Sequence, residues 1–253
     1  MRSAVSHLIL AVRFLTIVPV PGREATGAGA LGRAAWWFPA VGVALGVCLV
    51  AADHVVAFLF PSLLGSILVI GLWKVLTGGI HLDGLADVLD GLAGRDAERR
   101  LAIMRDSRIG VFGAAGIVLC FLISAGALDA LPAGRHPVML LLAPAAGRLA
   151  PLLIGPLFPA ATPGQGAGAD FLDGLSPWAA PVSIAGLWIL SAALLGPWGG
   201  LLLSLALAGA LLWAVFVASR LGGLTGDALG SSVEIGELAT LVAAAALIHL
   251  RVI

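Results

Sequence analysis

The chain has 253 residues, 60% of them apolar and 11% charged, with a formal net charge of zero. A soluble domain of this size needs far more polar side chains to cover its surface, so the composition specifies a protein built for lipid. Balanced charge leaves no basic footprint for nucleic acid, and the two cysteines, Cys48 and Cys120, lie in apolar runs that suit neither a disulfide framework nor a thiolate metal site.

The stretch from Arg2 to Val18 carries His7 and Arg13 and runs into Pro19 and Pro21, which reads as an amphipathic lead-in helix and not as a cleavable signal. Trp36-Trp37-Phe38-Pro39 fits an interfacial aromatic anchor. Apolar stretches then place spans near 36–60, 62–80, 110–131, 137–158, 178–196, 198–218 and 238–253. The expected fold is therefore all-α: a polytopic helical membrane protein of about seven transmembrane helices, forming one integral-membrane unit over 1–253. Asp53 and His54, in the outer half of the first span, read as structural. Lys74 and Arg148 lie within or close to spans and should face a cavity or a partner, Arg148 being a candidate substrate ligand.

Basic residues set the orientation. Arg2, Arg13, Arg23 and Arg33 precede the first span, Arg95, Arg99, Arg100, Arg105 and Arg108 separate the second from the third, and Arg220 follows the sixth. The positive-inside rule puts the N-terminus and the 81–109 segment in the cytoplasm. With that topology Asp83, Asp87, Asp90, Asp106, Asp227, Glu234 and Glu237 are all expected on one face.

In His81-Leu82-Asp83-Gly84-Leu85-Ala86-Asp87-Val88-Leu89-Asp90-Gly91 the aspartates fall at i, i+4 and i+7, one narrow stripe of a helix. Like charges so arranged repel, and flanking leucines and valine desolvate them, so a cation should offset them. Carboxylate-only ligation favours Mg²⁺ or Mn²⁺ over Zn²⁺. His81 points away from the stripe and reads as structural.

Further on, Met104-Arg105-Asp106-Ser107-Arg108-Ile109-Gly110 leads into the third span. Asp106 or Ser107 is the expected N-cap, and the helix start beside Arg105 and Arg108 is the expected phosphate site. Gly222-Gly223-Leu224-Thr225-Gly226-Asp227 echoes Gly78-Gly79 with Asp83 after three intervening residues. A helix beyond it aligns Asp227, Ser231 and Glu234, a second half for the metal cluster.

Five strings together resemble the cobalamin synthase family (adenosylcobinamide-GDP ribazoletransferase). They are Arg13-Phe14-Leu15-Thr16 with Pro19-Val20-Pro21; Trp37-Phe38-Pro39 with Gly42; Gly79-Ile80-His81-Leu82-Asp83-Gly84-Leu85-Ala86-Asp87 with Asp90-Gly91; Met104 to Gly110; and Gly223-Leu224-Thr225-Gly226-Asp227. Arg105 stands where the family string has lysine, which keeps the charge but changes its geometry. The resemblance implies an enzyme of the bacterial inner membrane that joins adenosylcobinamide-GDP to α-ribazole or its 5′-phosphate, giving adenosylcobalamin or its phosphate and releasing GMP. Asp83, Asp87, Asp90 and Asp227 are then the expected catalytic residues, and the same four with Glu234 the expected Mg²⁺ ligands. Arg105, Asp106, Ser107, Arg108, Arg148 and Thr225 are the expected substrate contacts, and one carboxylate takes the proton of the ribazole 5′-hydroxyl. Corrinoid and ribazole substrates and the bilayer are the implied partners. Self-association and contact with the cobinamide guanylyltransferase and ribazole-supplying enzymes are further expectations. A CDP-alcohol phosphotransferase-like or prenyltransferase-like enzyme, or an ion-coupled transporter, is the competing reading.

Overall fold

The computed structural model describes residues 2–252. Its helices are α1 (Arg2–Leu15), α2 (Ala30–Ala34), α3 (Phe38–Leu59), α4 (Ser62–Leu76), α5 (Ile80–Gly91), α6 (Ala97–Met104), α7 (Val111–Asp129), α8 (His136–Ile154), α9 (Gly166–Gly174), α10 (Ala179–Leu195), α11 (Pro197–Leu221) and α12 (Gly226–His249). Five helical segments are long and apolar enough to cross a membrane. There are seven if α4 with α5, bent by 91°, and α9 with α10, bent by 87°, each count as one span. The expected all-α, multi-pass architecture and the N-terminal helix are both present.

Two boundaries differ from expectation. The last span does not begin at 238: α12 is continuous from Gly226. The helix expected beyond Gly226 and the last span are one element, and several of its polar residues find partners inside the bundle. Ser231 Oγ and Ser232 Oγ donate to the carbonyls of Ala228 and Leu229 at 2.9 and 2.6 Å, and both glutamates are ion-paired. The short helix α9 also had no apolar signal, because it is built from Gly, Ala and Asp as much as from Phe and Leu.

Helix α8 runs through the middle of the bundle, most of its residues enclosed by protein. Lipid offers no hydrophobic drive between helices, so close packing must come from small residues. A Cβ at Gly42 or Gly46 of α3 would lie 2.6 Å from the carbonyls of Pro144 or Leu140 on α8. On the other side, a Cβ at Gly147 would lie 2.8 Å from the carbonyl of Val233 on α12. Replacing Gly147 by Leu forces these helices apart. The expected cost is about 1–3 kcal/mol, measurable as a lower melting temperature of the detergent-solubilised protein.

Toward the end of α3, Asp53 Oδ1 meets His136 Nδ1 at 3.2 Å, tying α3 to the start of α8. This is the structural role expected of Asp53.

Candidate active site

The two glycine pairs turn the chain at the same end of the bundle. Gly78 and Gly79 have φ of 63° and 68°, and Gly222 has φ of 78°, left-handed conformations that stop α4 and α11 and release the chain into α5 and α12. Helices α5 and α12 then pack antiparallel. A Cβ at Gly84 would lie 3.0 Å from the Asp227 carbonyl, and one at Gly230 would lie 3.7 Å from His81 Cα. Because Asp83 and Asp87 flank Gly84 on α5, its missing side chain admits Asp227 to them.

Electrostatics report the same grouping. Asp83, Asp227 and Asp90 all repel the charge of half-buried Asp87, and Asp83 repels that of Asp227. None of Asp83, Asp87 and Asp227 has a cationic or hydrogen-bonding side-chain partner among the described residues. Among the described residues no three His, Cys, Asp or Glu side chains are grouped so that they could hold a metal ion between them.

Asp90 is committed elsewhere. Its Oδ2 accepts from Gly110 N at 2.7 Å and its Oδ1 from Gly113 N at 2.8 Å, so it caps α7 from across the chain. Asp106 and Ser107 therefore do not cap this helix. They lie before it in a non-helical turn, and Gly110 is the N-cap residue. The reason is tertiary: the first N–H groups of α7 face α5, where a carboxylate already waits. Replacing Asp90 by Ala should orphan those donors and cost about 1–3 kcal/mol, read as a melting shift, whereas Asp90→Asn, which keeps one acceptor, should lose less.

Asp106 instead accepts from Arg108 Nη2 at 2.6 Å. That hydrogen bond holds its carboxyl down at about 2. Arg108 is 87% exposed and Arg105 is exposed. Arg105 lines a cavity of about 280 Å³ together with Gln165, Thr225 and Asp227. Thr225 caps α12, its Oγ1 accepting from Ala228 N at 3.0 Å. The loop carrying it is held by 2.8 Å hydrogen bonds from Ala161 N to the Leu224 carbonyl and from Leu224 N to the Pro159 carbonyl. Asp227 also borders a second, apolar cavity of about 140 Å³.

Glu234 and Arg148 are not brought to this group. Glu234 sits two helical turns beyond Asp227, about 10 Å along the axis at 1.5 Å per residue. There Lys74 Nζ reaches Glu234 Oε2 at 2.6 Å and Glu237 Oε2 at 2.8 Å, while Arg148 Nη1 reaches Glu237 Oε1 at 2.6 Å. Arg148 is 0% exposed. The four charges cancel inside the bundle, so the contacts seen for Glu234 and Arg148 are structural ones and not the expected metal ligation and substrate contact. Glu237 lies there too, not on the membrane face. Sequence had marked Lys74 as needing a partner but not which partner. Asp170 was missed altogether: its carboxylate accepts from Gly29 N and Leu31 N and fastens α9 to α2.

These features define a multi-pass helical membrane protein with an acidic cluster and, among the described residues, an unpaired arginine around cavities at one end of the bundle. A family model described as Cobalamin-5-phosphate synthase matches residues 7–245, and the chain belongs to that family. It is similar to the adenosylcobinamide-GDP ribazoletransferases of Chlorobium phaeobacteroides (38% identical, over 91% of this chain and 94% of that one) and Syntrophobacter fumaroxidans (39%, over 95% and 98%). The relative of that name from Pseudomonas paraeruginosa is 38% identical over 97% of this chain and 100% of its own. The chain is thus a transferase. No solved structure matches it.

Proposed function

We propose that this protein transfers the adenosylcobinamide-phosphate group of adenosylcobinamide-GDP to a ribose hydroxyl of α-ribazole or its 5′-phosphate. The products are adenosylcobalamin or its 5′-phosphate and GMP, the reaction needs Mg²⁺, and it takes place at the cytoplasmic face of the bacterial inner membrane. The names of the relatives support the substrates. The observation that carries the reading is that Asp83, Asp87 and Asp227 lie near enough to repel one another, with no cationic partner among the described residues, beside a cavity that Arg105 lines.

This donor set fits Mg²⁺, which takes one or two carboxylates and fills its remaining positions with water and phosphate oxygens. Asp83 and Asp227 would hold the ion, with Asp87 beside them, and its chemistry when bound is to neutralise the diphosphate. Arg105 contacts the phosphate that departs with guanosine, and exposed Arg108 assists. The acceptor oxygen bonds to the phosphorus that bears the cobinamide. The bond from that phosphorus to the bridging oxygen breaks, and its electron pair leaves with GMP. A carboxylate of the cluster accepts the acceptor's proton. When the acceptor already carries a 5′-phosphate its 5′ oxygen is occupied, so the attacking group is another ribose hydroxyl and not the 5′-hydroxyl.

The test is GMP release by purified protein from adenosylcobinamide-GDP plus α-ribazole. Release that requires Mg²⁺ and stops with chelator is expected; release untouched by chelation would overturn the metal assignment. The N-terminal arginines and those between α5 and α7 support the cytoplasmic placement.

A further inference from the structure

The second cavity at the site has an unlike lining. Phe14, Phe38, Phe171 and Leu229 form its walls, and its polar members are His81 and Asp227. Phe38 stacks on Phe14, with centroids 6.0 Å apart, and lies tilted against Phe171, with centroids 5.8 Å apart. His81 is 4% exposed, makes no side-chain hydrogen bond among the described residues, and its Nδ1 is enclosed without a partner. A buried imidazole with an unpaired ring nitrogen is costly.

Building on the proposed reaction, we infer that this aromatic cavity binds the benzimidazole-type base of the acceptor nucleoside and so sets acceptor specificity. Size decides first. A cavity of about 140 Å³ is of the order that encloses a benzene ring, about 150 Å³. With its open side it admits a flat bicyclic ring, and it excludes a corrin macrocycle. Polarity decides between the two bases present. Guanine carries a rim of donors and acceptors that these phenylalanine and leucine walls would leave unpaired, at roughly 1–3 kcal/mol for each. A dimethylated benzimidazole presents methyl groups to the walls and a single ring nitrogen for His81.

Position agrees. Ala167, Gly168, Gly226 and Asp227 border both this cavity and the polar one that Arg105 lines. A base seated among the phenylalanines therefore delivers its ribose past Asp227 to the phosphates.

The experiment uses Gly230, which lines the cavity on α12 and where an added Cβ meets His81 at an ordinary 3.7 Å. Gly230→Ala adds a methyl that fits; Gly230→Met extends into the cavity. Binding of free 5,6-dimethylbenzimidazole to the solubilised full chain, without donor or Mg²⁺, is measured by equilibrium dialysis beside guanosine. Wild type and Gly230→Ala should bind the base within about threefold of each other and prefer it to guanosine. Gly230→Met should bind it at least tenfold more weakly, with an unchanged melting transition. In turnover, Gly230→Met should raise KM for α-ribazole and leave KM for adenosylcobinamide-GDP alone. Ala167→Trp, at an exposed position on another wall, repeats the test should Gly230→Met not fold. No base binding by wild type, equal binding by all variants, or a rise only in the donor's KM would overturn the inference. Absence of GMP release from wild type that still binds the base would instead count against the proposed reaction alone.

Discussion

Asp83→Asn should lower Mg²⁺-dependent GMP release by about 10³-fold or more while the protein still folds and inserts. Asp83 is the most exposed of the clustered acids and carries no hydrogen bond that the fold needs, so its loss costs little stability. Its negative charge, however, is one of the few present to hold a divalent ion against a diphosphate. Several kcal/mol of charge stabilisation at the reacting phosphorus rests on that ion, and each 1.36 kcal/mol is a factor of ten in rate. Asn keeps the shape and one acceptor oxygen but not the charge. Initial rates over a Mg²⁺ titration, with a melting curve on the same sample, separate chemistry from folding. Turnover within tenfold of wild type would remove Asp83 from the reaction.

Glu237→Gln should be the most damaging change away from the cavities. Glu237 accepts from Lys74 with one oxygen and Arg148 with the other, and it is 2% exposed. Neutralising it leaves a 0% exposed guanidinium without its counter-charge, a loss of about 3–5 kcal/mol. The expected readout is a collapse of monodisperse protein in detergent or a large drop in melting temperature. The paired replacement Glu237→Leu with Arg148→Met removes both charges together and should recover much of the loss. A double variant no better than Glu237→Gln would show that the cluster does more than neutralise itself. Because these residues anchor α12 to α4 and α8, the cluster also fixes where Asp227, three turns nearer the helix start, meets α5.

Much of this arrangement was readable in the chain. The apolar runs gave every span but the last within a few residues, and the i, i+4 spacing of Asp83 and Asp87 put both on one helical stripe. What the periodicity could not give was competition for the same carboxylates. Asp90 shares the stripe, yet Gly110 and Gly113 claim both its oxygens, a pairing across twenty residues that no local pattern encodes. Glu234 shares a stripe with Asp227, but a stripe says nothing of depth, and Lys74 holds it two turns inside the bundle. Helix α9 escaped notice because its role is packing by absence: Gly168 lies against Gly226, where a Cβ would come within 2.5 Å of the backbone.

The most direct measurement is divalent-ion binding itself, followed by the spectrum of Mn²⁺ added to solubilised protein in the presence of a nucleoside diphosphate. Wild type should bind the ion, and Asp83→Asn and Asp227→Asn, changed on helices far apart in sequence, should each weaken binding at least tenfold, while Glu234→Gln that still folds should not. Equal binding by wild type and Asp227→Asn would mean that α5 and α12 do not share an ion, and the proposed centre would fall.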